Sequence, residues 1–374
     1  MAARRGYDRH EAFSISALTH IFEAMRVLLT KLKHIGDALL MTPTADAIRA
    51  RHPDAEIVAV VRKGTESVLA GCTAIDRVLT AAAAEGHRRS AFNWLEDMRT
   101  IAALRREKFD YAFELSDGDR GRWVCALARA KVRCTNESLI KLPRIWKLAF
   151  KSVAHFEWRY RHRVEKDFFT VAHALDIGSE PGPMRFARER AQPSWVSERA
   201  GTGAIVFHPA TRMLEKFWPE NRWIELGLAL KKCGAPIVVS VGPAPDEIAL
   251  GERIAAGIGA EAICPKGALT WPQLAEVLHT ARVFVGVDTA AMHLAAACAC
   301  PTVAIFGLSS VVQWRPWKVP SRVLAGLGEM DEWPAEMIAV ENPILRVSVA
   351  QAEAAVHEIA RVGFPGATPP RSSP

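Results

Sequence analysis

The stretch Arg26-Val-Leu-Leu-Thr-Lys-Leu-Lys-His-Ile-Gly-Asp37 decides the fold class of this chain. An apolar run rich in strand-forming residues enters a polar turn, and a helical pattern follows over residues 37–51. The same unit recurs downstream, with further strands predicted at 57–61, 76–79 and 109–115 and a helix at 91–106. Strands separated by helices predict a parallel sheet covered on both faces.

The second half of the chain repeats this alternation. Strands are predicted at 204–207, 237–241, 283–287 and 302–306, and helices at 219–232, at 270–281 and from 290. Pro219 and Gly234 flank the first of these helices in the order that helices prefer. Thr270-Trp-Pro-Gln273 has the spacing of a capping box. The whole chain is therefore predicted to be an α/β protein of two sheets.

These patterns also predict the domain limits. Residues 25–185 and 194–362 are expected to form the two domains, joined by a linker rich in proline and arginine. Residues 1–24 lack a clear period and are predicted to be a poorly ordered extension. Residues 363–374, rich in proline and serine, are predicted to be a disordered tail.

Composition narrows the classes of protein that fit. The chain has 374 residues, with 48 basic and 41 acidic side chains and a net charge of +7. This excess suits phosphorylated substrates or an anionic membrane surface, and it is too small to indicate nucleic acid. The seven cysteines include no CxxC pair, which favours a reduced compartment over a zinc site or disulfide framework. Because a secretory signal is not indicated either, the protein is predicted to be cytoplasmic.

The turn after the first strand is the first candidate for chemistry. Gly36 is predicted to allow a tight or left-handed turn there. Asp37 would then lie at the carboxyl end of a parallel strand, where open α/β sheets bind their ligands. Asp37 could equally be a helix-capping residue that complements the helix dipole. The dinucleotide motif GxGxxG is absent from this turn.

The second candidate is Phe284-Val-Gly-Val-Asp-Thr-Ala-Ala-Met-His293, a buried strand that runs into a helix. Free backbone N–H groups and the dipole at such a helix start attract phosphate, and His293 lies near enough to add a donor. In the alternative interpretation, Asp288 or Thr289 only caps the helix and His293 is a satisfied core residue.

The third candidate is the loop of residues 208–219. Thr211, Arg212 and Lys216 place a hydroxyl and two cations after a strand. Arginine and lysine can neutralise the charge that develops on a leaving diphosphate without a metal. The alternative is a solvated basic loop.

In this order, the three segments resemble glycosyltransferase family 9, the ADP-heptose:lipopolysaccharide heptosyltransferases. The segments are KLKHIGDALLMTPTADAIR (31–49), HPATRMLEKFWPENRWIEL (208–226) and VGVDTAAMHLAAACACPTVAIFG (285–307). The DTAAMH form, together with LSDGDRG at 115–121, is most similar to the third, branch-adding core heptosyltransferases. The resemblance covers residues 25–318.

The resemblance implies the GT-B fold, with the acceptor on the first Rossmann-like domain and the nucleotide sugar on the second. It implies that Asp37 is the catalytic base. The implied donor-binding residues are Thr211, Arg212, Lys216, Asp246, Asp288, Thr289, Ala290 and His293, and the implied acceptor-binding residues are Lys33, Arg120 and Arg122. Many members have glycine where this chain has Ala290-Ala291.

The implied reaction is the transfer of a heptose from ADP-heptose to a lipopolysaccharide core hydroxyl, with inversion and with neither metal nor cofactor. Two alternatives stay open: a nucleotide-sugar epimerase of the same fold, and a homologue that binds nucleotide sugars without catalysis. A third concerns Asp117-Gly-Asp119, because two carboxylates at this spacing can share one divalent cation.

Residues 141–166 are predicted to meet a membrane or to form a helix pair. Eight basic side chains alternate there with Trp146, Phe150, Phe156, Trp158 and Tyr160. Cations mixed with aromatic rings are typical of an anionic lipid interface, which would be the cytoplasmic face of the inner membrane. In the alternative, a solvated helix pair packs its aromatic rings on the first domain.

Overall fold

A computed structural model describes residues 24–83, 91–137, 141–155, 157–267, 269–326 and 342–363. The predicted N-terminal extension and C-terminal tail lie outside these ranges, apart from Ala24 and Gly363. Phe156 and the side chain of Trp158 also lie outside them.

The first sheet is parallel throughout and has the strand order β3-β2-β1-β4-β5-β6. Its strands are Arg26–Lys31 (β1), Glu56–Arg62 (β2), Arg77–Ala81 (β3), Phe109–Glu114 (β4), Ala130–Glu137 (β5) and Ser152–His155 (β6). The helices of this half are Ile35–Leu40 (α1), Thr42–Arg51 (α2), Ala91–Arg106 (α3), Asp119–Leu127 (α4), Arg144–Ala149 (α5) and Arg163–Ala172 (α6).

The second sheet is also parallel and repeats the order, as β12-β11-β10-β7-β8-β9. Its strands are Ile205–His208 (β7), Ile237–Val239 (β8), Ala262–Ile263 (β9), Val283–Val287 (β10), Thr302–Phe306 (β11) and Ser321–Ala325 (β12). The helices are Trp195–Ala200 (α7), Glu220–Lys231 (α8), Pro245–Ile258 (α9), Trp271–Thr280 (α10), Ala290–Ala297 (α11), Val311–Trp314 (α12) and Val349–Gly363 (α13).

The two parallel sheets confirm the predicted fold class. All five residues of β10 and all five of β11 are buried, because helices cover both faces of these central strands. The capping box at Thr270 is present, with the Thr270 hydroxyl accepting from the N–H of Gln273. The domain limits at 185 and 194 stay a prediction.

The single helix predicted over residues 37–51 is wrong, because the chain divides it into α1 and α2 at Met41. Pro43 has no N–H to donate to the carbonyl of Leu39, as a continuous helix would require. The hydroxyl of Thr42 donates to that oxygen instead, at 2.8 Å. The proline therefore starts a second helix.

The predicted linker is a packed strap between the two halves. Phe186 is buried, and its N–H donates to the carbonyl of Ala297 in α11 at 2.8 Å. The next N–H, of Ala187, donates to Gly71 of the first half at 2.9 Å. Residues of this linker thus bond to both halves of the chain.

The helix pair predicted as one alternative for residues 141–166 is correct only in part, because α5 and the start of α6 lie there but a strand separates them. Residues Ser152–His155 pair with β5 as an edge strand of the first sheet, between α5 and α6. Trp146 and Phe150 are buried in the core, whereas Tyr160 is 61% exposed. In the part of the chain described, no helix is both long and apolar enough to cross a membrane.

Candidate active site

The starts of α1 and α11 face each other where the two halves meet. A Cβ atom added to Gly36 would lie 3.1 Å from Cδ2 of His293 and 3.5 Å from Cα of Ala290. The predicted tight-turn role of Gly36 is wrong, since this residue lies inside α1 and is not among the glycines with positive φ. Glycine instead allows the backbone of α1 to approach α11 closely. We call this contact between the starts of α1 and α11 the seam.

Asp37 is the third residue of α1 and lies on this seam, partly exposed. Its Oδ2 accepts a hydrogen bond from the N–H of His34 at 3.3 Å, as part of a capping box. Burial lowers the pKa of His34; Asp37 opposes this, while Arg62 and Arg212 add to the lowering. The carboxylate therefore caps the helix and also lies among cations of both halves.

Lys216 and Asp288 form an ion pair in the second half. Nζ of Lys216 donates to Oδ2 of Asp288 at 2.6 Å, and the side chains are 19% and 8% exposed. Lys216 ends a short 3₁₀ helix after β7, and Asp288 directly follows β10. Neighbouring parallel strands bring the two predicted donor-binding side chains together, because their carboxyl ends share one edge of the sheet.

His293 and Thr289 present buried polar atoms beside this pair. Nδ1 of His293 and Oγ1 of Thr289 have no hydrogen-bond partner among the described residues. Burial lowers the pKa of His293, with Asp288 and Asp37 opposing the shift and Lys216 adding to it. A neutral imidazole and a hydroxyl at the start of α11, next to Ala290, can hydrogen-bond to a phosphate or sugar oxygen.

Arg212 and Arg62 extend the cationic lining from one half to the other. Arg212 is exposed in the loop after β7, and its hydroxyl-bearing neighbour Thr211 accepts from the N–H of Met213 at 3.3 Å. Burial lowers the pKa of Arg62, and the nearby Arg212 and Arg120 add to this effect. Sequence reasoning missed Arg62, although a cation at the last position of β2 follows the rule that identified the other candidates.

Two of the three predicted acceptor-side cations are engaged within the first half. Arg120 makes a two-bond ion pair with Asp97, at 2.6 and 2.8 Å. Arg122 donates to Asp119 at 3.0 Å. Lys33 is exposed beside α1. Of these three side chains, Lys33 is the most exposed, and it lies four residues before Asp37 in the chain.

The carboxylates of Asp117 and Asp119 face different partners. Asp117 has a left-handed backbone, with φ of 59°, and its Oδ2 forms an ion pair with Lys166. Oδ1 of Asp119 accepts from the indole N–H of Trp146 at 2.9 Å and from Arg122. Asp117 therefore contacts α6, whereas Asp119 contacts α5 and a residue of its own helix, α4.

A buried ion pair beneath β1 was also missed by the sequence analysis. Nζ of Lys31 contacts both carboxylate oxygens of Asp167, at 2.7 and 2.8 Å, and donates to the carbonyl of Leu115 at 2.9 Å. The partners lie 136 residues apart in sequence, so no local pattern joins them. The pair holds α6 against the end of β1, from which the chain continues to Asp37.

Asp246 lies in the first turn of α9 and is exposed. The side chain that turns back is Glu247, whose Oε2 lies 2.1 Å from the position a Cβ on Gly242 would occupy. The loop after β8 therefore places both carboxylates at the edge of the sheet that carries Lys216 and Asp288.

Comparison with known proteins connects the chain to a family. The family model "Glycosyltransferase family 9 (heptosyltransferase)" matches residues 98–334. Lipopolysaccharide heptosyltransferase 3 of Escherichia coli K12 is 26% identical over 303 residues, covering 76% of this chain and 83% of the relative. Lipopolysaccharide heptosyltransferase 1 of Pseudomonas aeruginosa is 28% identical over 291 residues, covering 76% and 79%.

Solved structures show the same fold. The structure described as E. coli heptosyltransferase WaaC with ADP superposes with a TM-score of 0.73 at 22% identity, covering 89% of this chain and 99% of that one. The E. coli ADP-heptose lps heptosyltransferase II gives 0.69 at 18% identity, covering 90% and 98%. With the family model matching more than half of its residues, this chain belongs to glycosyltransferase family 9, the heptosyltransferases.

Proposed function

We propose that the protein transfers a heptose from ADP-heptose to a sugar hydroxyl of a lipopolysaccharide core, with inversion at the anomeric carbon. The observation that carries this proposal is the seam itself. Asp37 lies on one side, and Lys216, Asp288 and His293 lie on the other. The two sides are close enough for the charge of Asp37 to affect the pKa of His293. The names of the relatives supply the classes of donor and acceptor.

In this proposal, Asp37 accepts the proton of the acceptor hydroxyl as its oxygen attacks the anomeric carbon. The bond from that carbon to the diphosphate breaks, and negative charge grows on the leaving group. Lys216, Arg212 and the backbone N–H groups at the start of α11 stabilise this charge. One displacement inverts the anomeric carbon, so a single carboxylate base is enough.

The acceptor-binding role of Lys33, Arg120 and Arg122 is part of the same proposal, to which we add Arg62. Lys33 and Arg62 lie on the same edge of the first sheet as Asp37. Cations there suit the anionic groups of a phosphorylated core saccharide. Arg120 joins α4 to α3 through Asp97, and Arg122 pairs with Asp119 within α4, so these two would act on the acceptor side mainly by positioning α4.

We further propose a cytoplasmic protein that contacts the inner face of the inner membrane. The net charge of +7 and the basic residues 141–166 support this placement. The acceptor of such an enzyme is anchored in lipid, so contact with the bilayer would bring the enzyme to its substrate.

The test is a mass measurement of products. The protein is incubated with ADP-heptose and a delipidated core acceptor, with and without EDTA, and we expect an acceptor heavier by one heptose in both cases. Loss of transfer in EDTA, restored by magnesium or manganese, would contradict the metal-free mechanism. Release of an isomerised sugar without acceptor would indicate an epimerase, and donor binding without any product would indicate a non-catalytic homologue.

A further inference from the structure

Six large apolar side chains are exposed on three helices of the first half, and we call this set the apolar face. They are Trp94 (60% exposed), Leu95 (49%) and Met98 (37%) on α3, Trp123 (46%) on α4, and Ile145 (55%) and Leu148 (82%) on α5. Single exposed apolar residues are ordinary in proteins, but a group of this size marks an interaction surface.

The three helices are fixed side by side. The ion pair of Arg120 with Asp97 joins α4 to α3. The indole N–H of Trp146 donates to Asp119, which joins α5 to α4. The ring of Trp123 also meets the ring of Trp146 edge-on, with centroids 4.9 Å apart. The three helices that carry the apolar face are thus held together by side-chain contacts.

This surface lies at the edge of the sheet that holds Asp37. The carboxylate of Asp97 accepts from the N–H of Ala82, just after β3, so the first half of α3 lies at the carboxyl end of that strand. The N–H of Leu142 donates to Glu137 at the end of β5, which places the start of α5 at the same edge. In a parallel sheet, the carboxyl ends of all strands share one edge.

The surroundings of the apolar face are cationic. Residues 141–151 contain four basic side chains, at 141, 144, 147 and 151, and no acidic one; Lys147 pairs with Glu137 at 3.1 Å. The acidic residues of α3 are already paired, Glu96 with Lys63 at 2.9 Å and Asp97 with Arg120 at 2.6 Å. Apolar and aromatic side chains with a cationic rim match a bilayer of anionic phospholipid, which offers hydrocarbon below negatively charged headgroups.

We infer that the apolar face docks on an anionic phospholipid bilayer. Four of its six side chains lie outside the segment 141–166, and the other two, Ile145 and Leu148, are exposed on α5, whose Trp146 is buried. The biological purpose of this docking rests on the proposed function, because a docked enzyme would hold a lipid-anchored acceptor beside Asp37. The binding itself depends only on the side chains and their charge.

The test is co-sedimentation with vesicles. Wild-type protein should bind vesicles of phosphatidylcholine mixed equally with phosphatidylglycerol, bind phosphatidylcholine alone more weakly, and lose binding as salt rises. The double variant Trp94→Glu with Leu148→Glu should weaken binding to the mixed vesicles by at least about tenfold, because two apolar side chains become charged. The matched control is Trp195→Glu with Leu228→Glu on the second half, where both side chains are also exposed.

Three results would overturn the inference: wild-type protein that ignores the mixed vesicles, an equal loss in the control variant, or a double variant altered only in its self-association by sedimentation velocity. Circular dichroism checks that each variant is folded.

Transfer assays separate this inference from the proposed function. We expect the double variant to act normally on delipidated acceptor and poorly on acceptor embedded in vesicles. Wild-type protein that fails on delipidated acceptor would contradict the proposed function and leave the vesicle result intact.

Discussion

At the scale of single residues, Asp37 combines two tasks in one carboxylate. It accepts a hydrogen bond from the N–H of His34 and lies partly exposed on the seam. In Asp37→Asn the amide oxygen can still cap α1, but the side chain can no longer take a proton. We therefore expect kcat to fall about 10²–10⁴-fold while donor affinity and the circular dichroism spectrum stay near wild type. Initial rates at saturating donor measure the effect.

The matched control for this variant is Asp54→Asn, which changes an exposed aspartate between α2 and β2. It should leave turnover unchanged. Turnover of Asp37→Asn within about threefold of wild type would contradict the role of Asp37 as base, since a positioned base contributes much more.

His162 gives the protein a predictable response to acid. It is buried, its Nδ1 accepts from the N–H of Val164 at 3.2 Å, and its Nε2 lies 2.8 Å from the carbonyl of Arg315. Burial lowers the pKa of His162 to about 3, although the contact with Arg315 opposes the shift. The folded protein therefore holds this imidazole neutral, while the unfolded chain takes up a proton near pH 6.5.

Because the unfolded state binds the extra proton, stability should fall as pH drops from about 6.5 towards 3. His162 alone should account for about 2 kcal/mol of unfolding free energy between pH 7 and pH 5. Urea unfolding at both values measures this loss. In His162→Asn, where the amide can still cap α6, the loss should shrink by that amount, whereas His357→Asn, at an exposed position of α13, should keep it. An unchanged loss in His162→Asn would contradict the assignment.

At the scale of elements, the approach of α1 to α11 is the contact that assembles the candidate site. Gly36→Ala adds a Cβ atom at 3.1 Å from His293 and 3.5 Å from Ala290. Alanine favours helix over glycine, so α1 itself gains about 1 kcal/mol. The added methyl must instead move His293 or separate the two helices. We expect kcat/KM to fall about tenfold or more, because small displacements of reacting groups cost much rate.

Gly182→Ala is the control for this variant, since an added Cβ would meet nothing within 4 Å there. Steady-state kinetics and a melting curve of both variants provide the measurement. If Gly36→Ala kept full kcat/KM, the seam would tolerate a wider spacing than the proposed mechanism allows.

At the scale of the whole molecule, the strap around Phe186 joins the two halves. Its ring is buried between Gly71 of the first half and His279 of α10, and its N–H bonds to α11. Phe186→Ala should destabilise the protein by about 3–5 kcal/mol, the usual cost of removing a buried phenyl ring. Urea unfolding measures it. Leu345→Ala, at a position 38% exposed, should cost within about 0.5 kcal/mol. An equal loss of unfolding free energy in the two variants would show that the strap contributes little to stability.

The sequence by itself determined the alternation of strands and helices and its repetition in the second half, although β5, β6, β9 and β12 were not among the predicted strands. Apolar strands such as Val283–Val287 and a capping box such as Thr270 with Gln273 depend on residues close together in the chain, so their patterns are readable. The order of three motifs was enough to identify the family. The carboxyl-edge rule also placed Asp37, Lys216 and Asp288 at the edges of their sheets.

Only the tertiary structure decided which of these residues meet. The close approach that requires Gly36 involves His293, more than 250 residues later, and the pair Lys31–Asp167 spans 136 residues. Arg120 and Arg122 carry the same charge as Lys33, yet ion pairs with Asp97 and Asp119 engage them. Trp146 and Ile145 are adjacent and both apolar, yet one is buried and the other forms part of the apolar face. Charge and hydrophobicity are properties of a residue, whereas its partner and its exposure are set by the packing of segments distant in sequence.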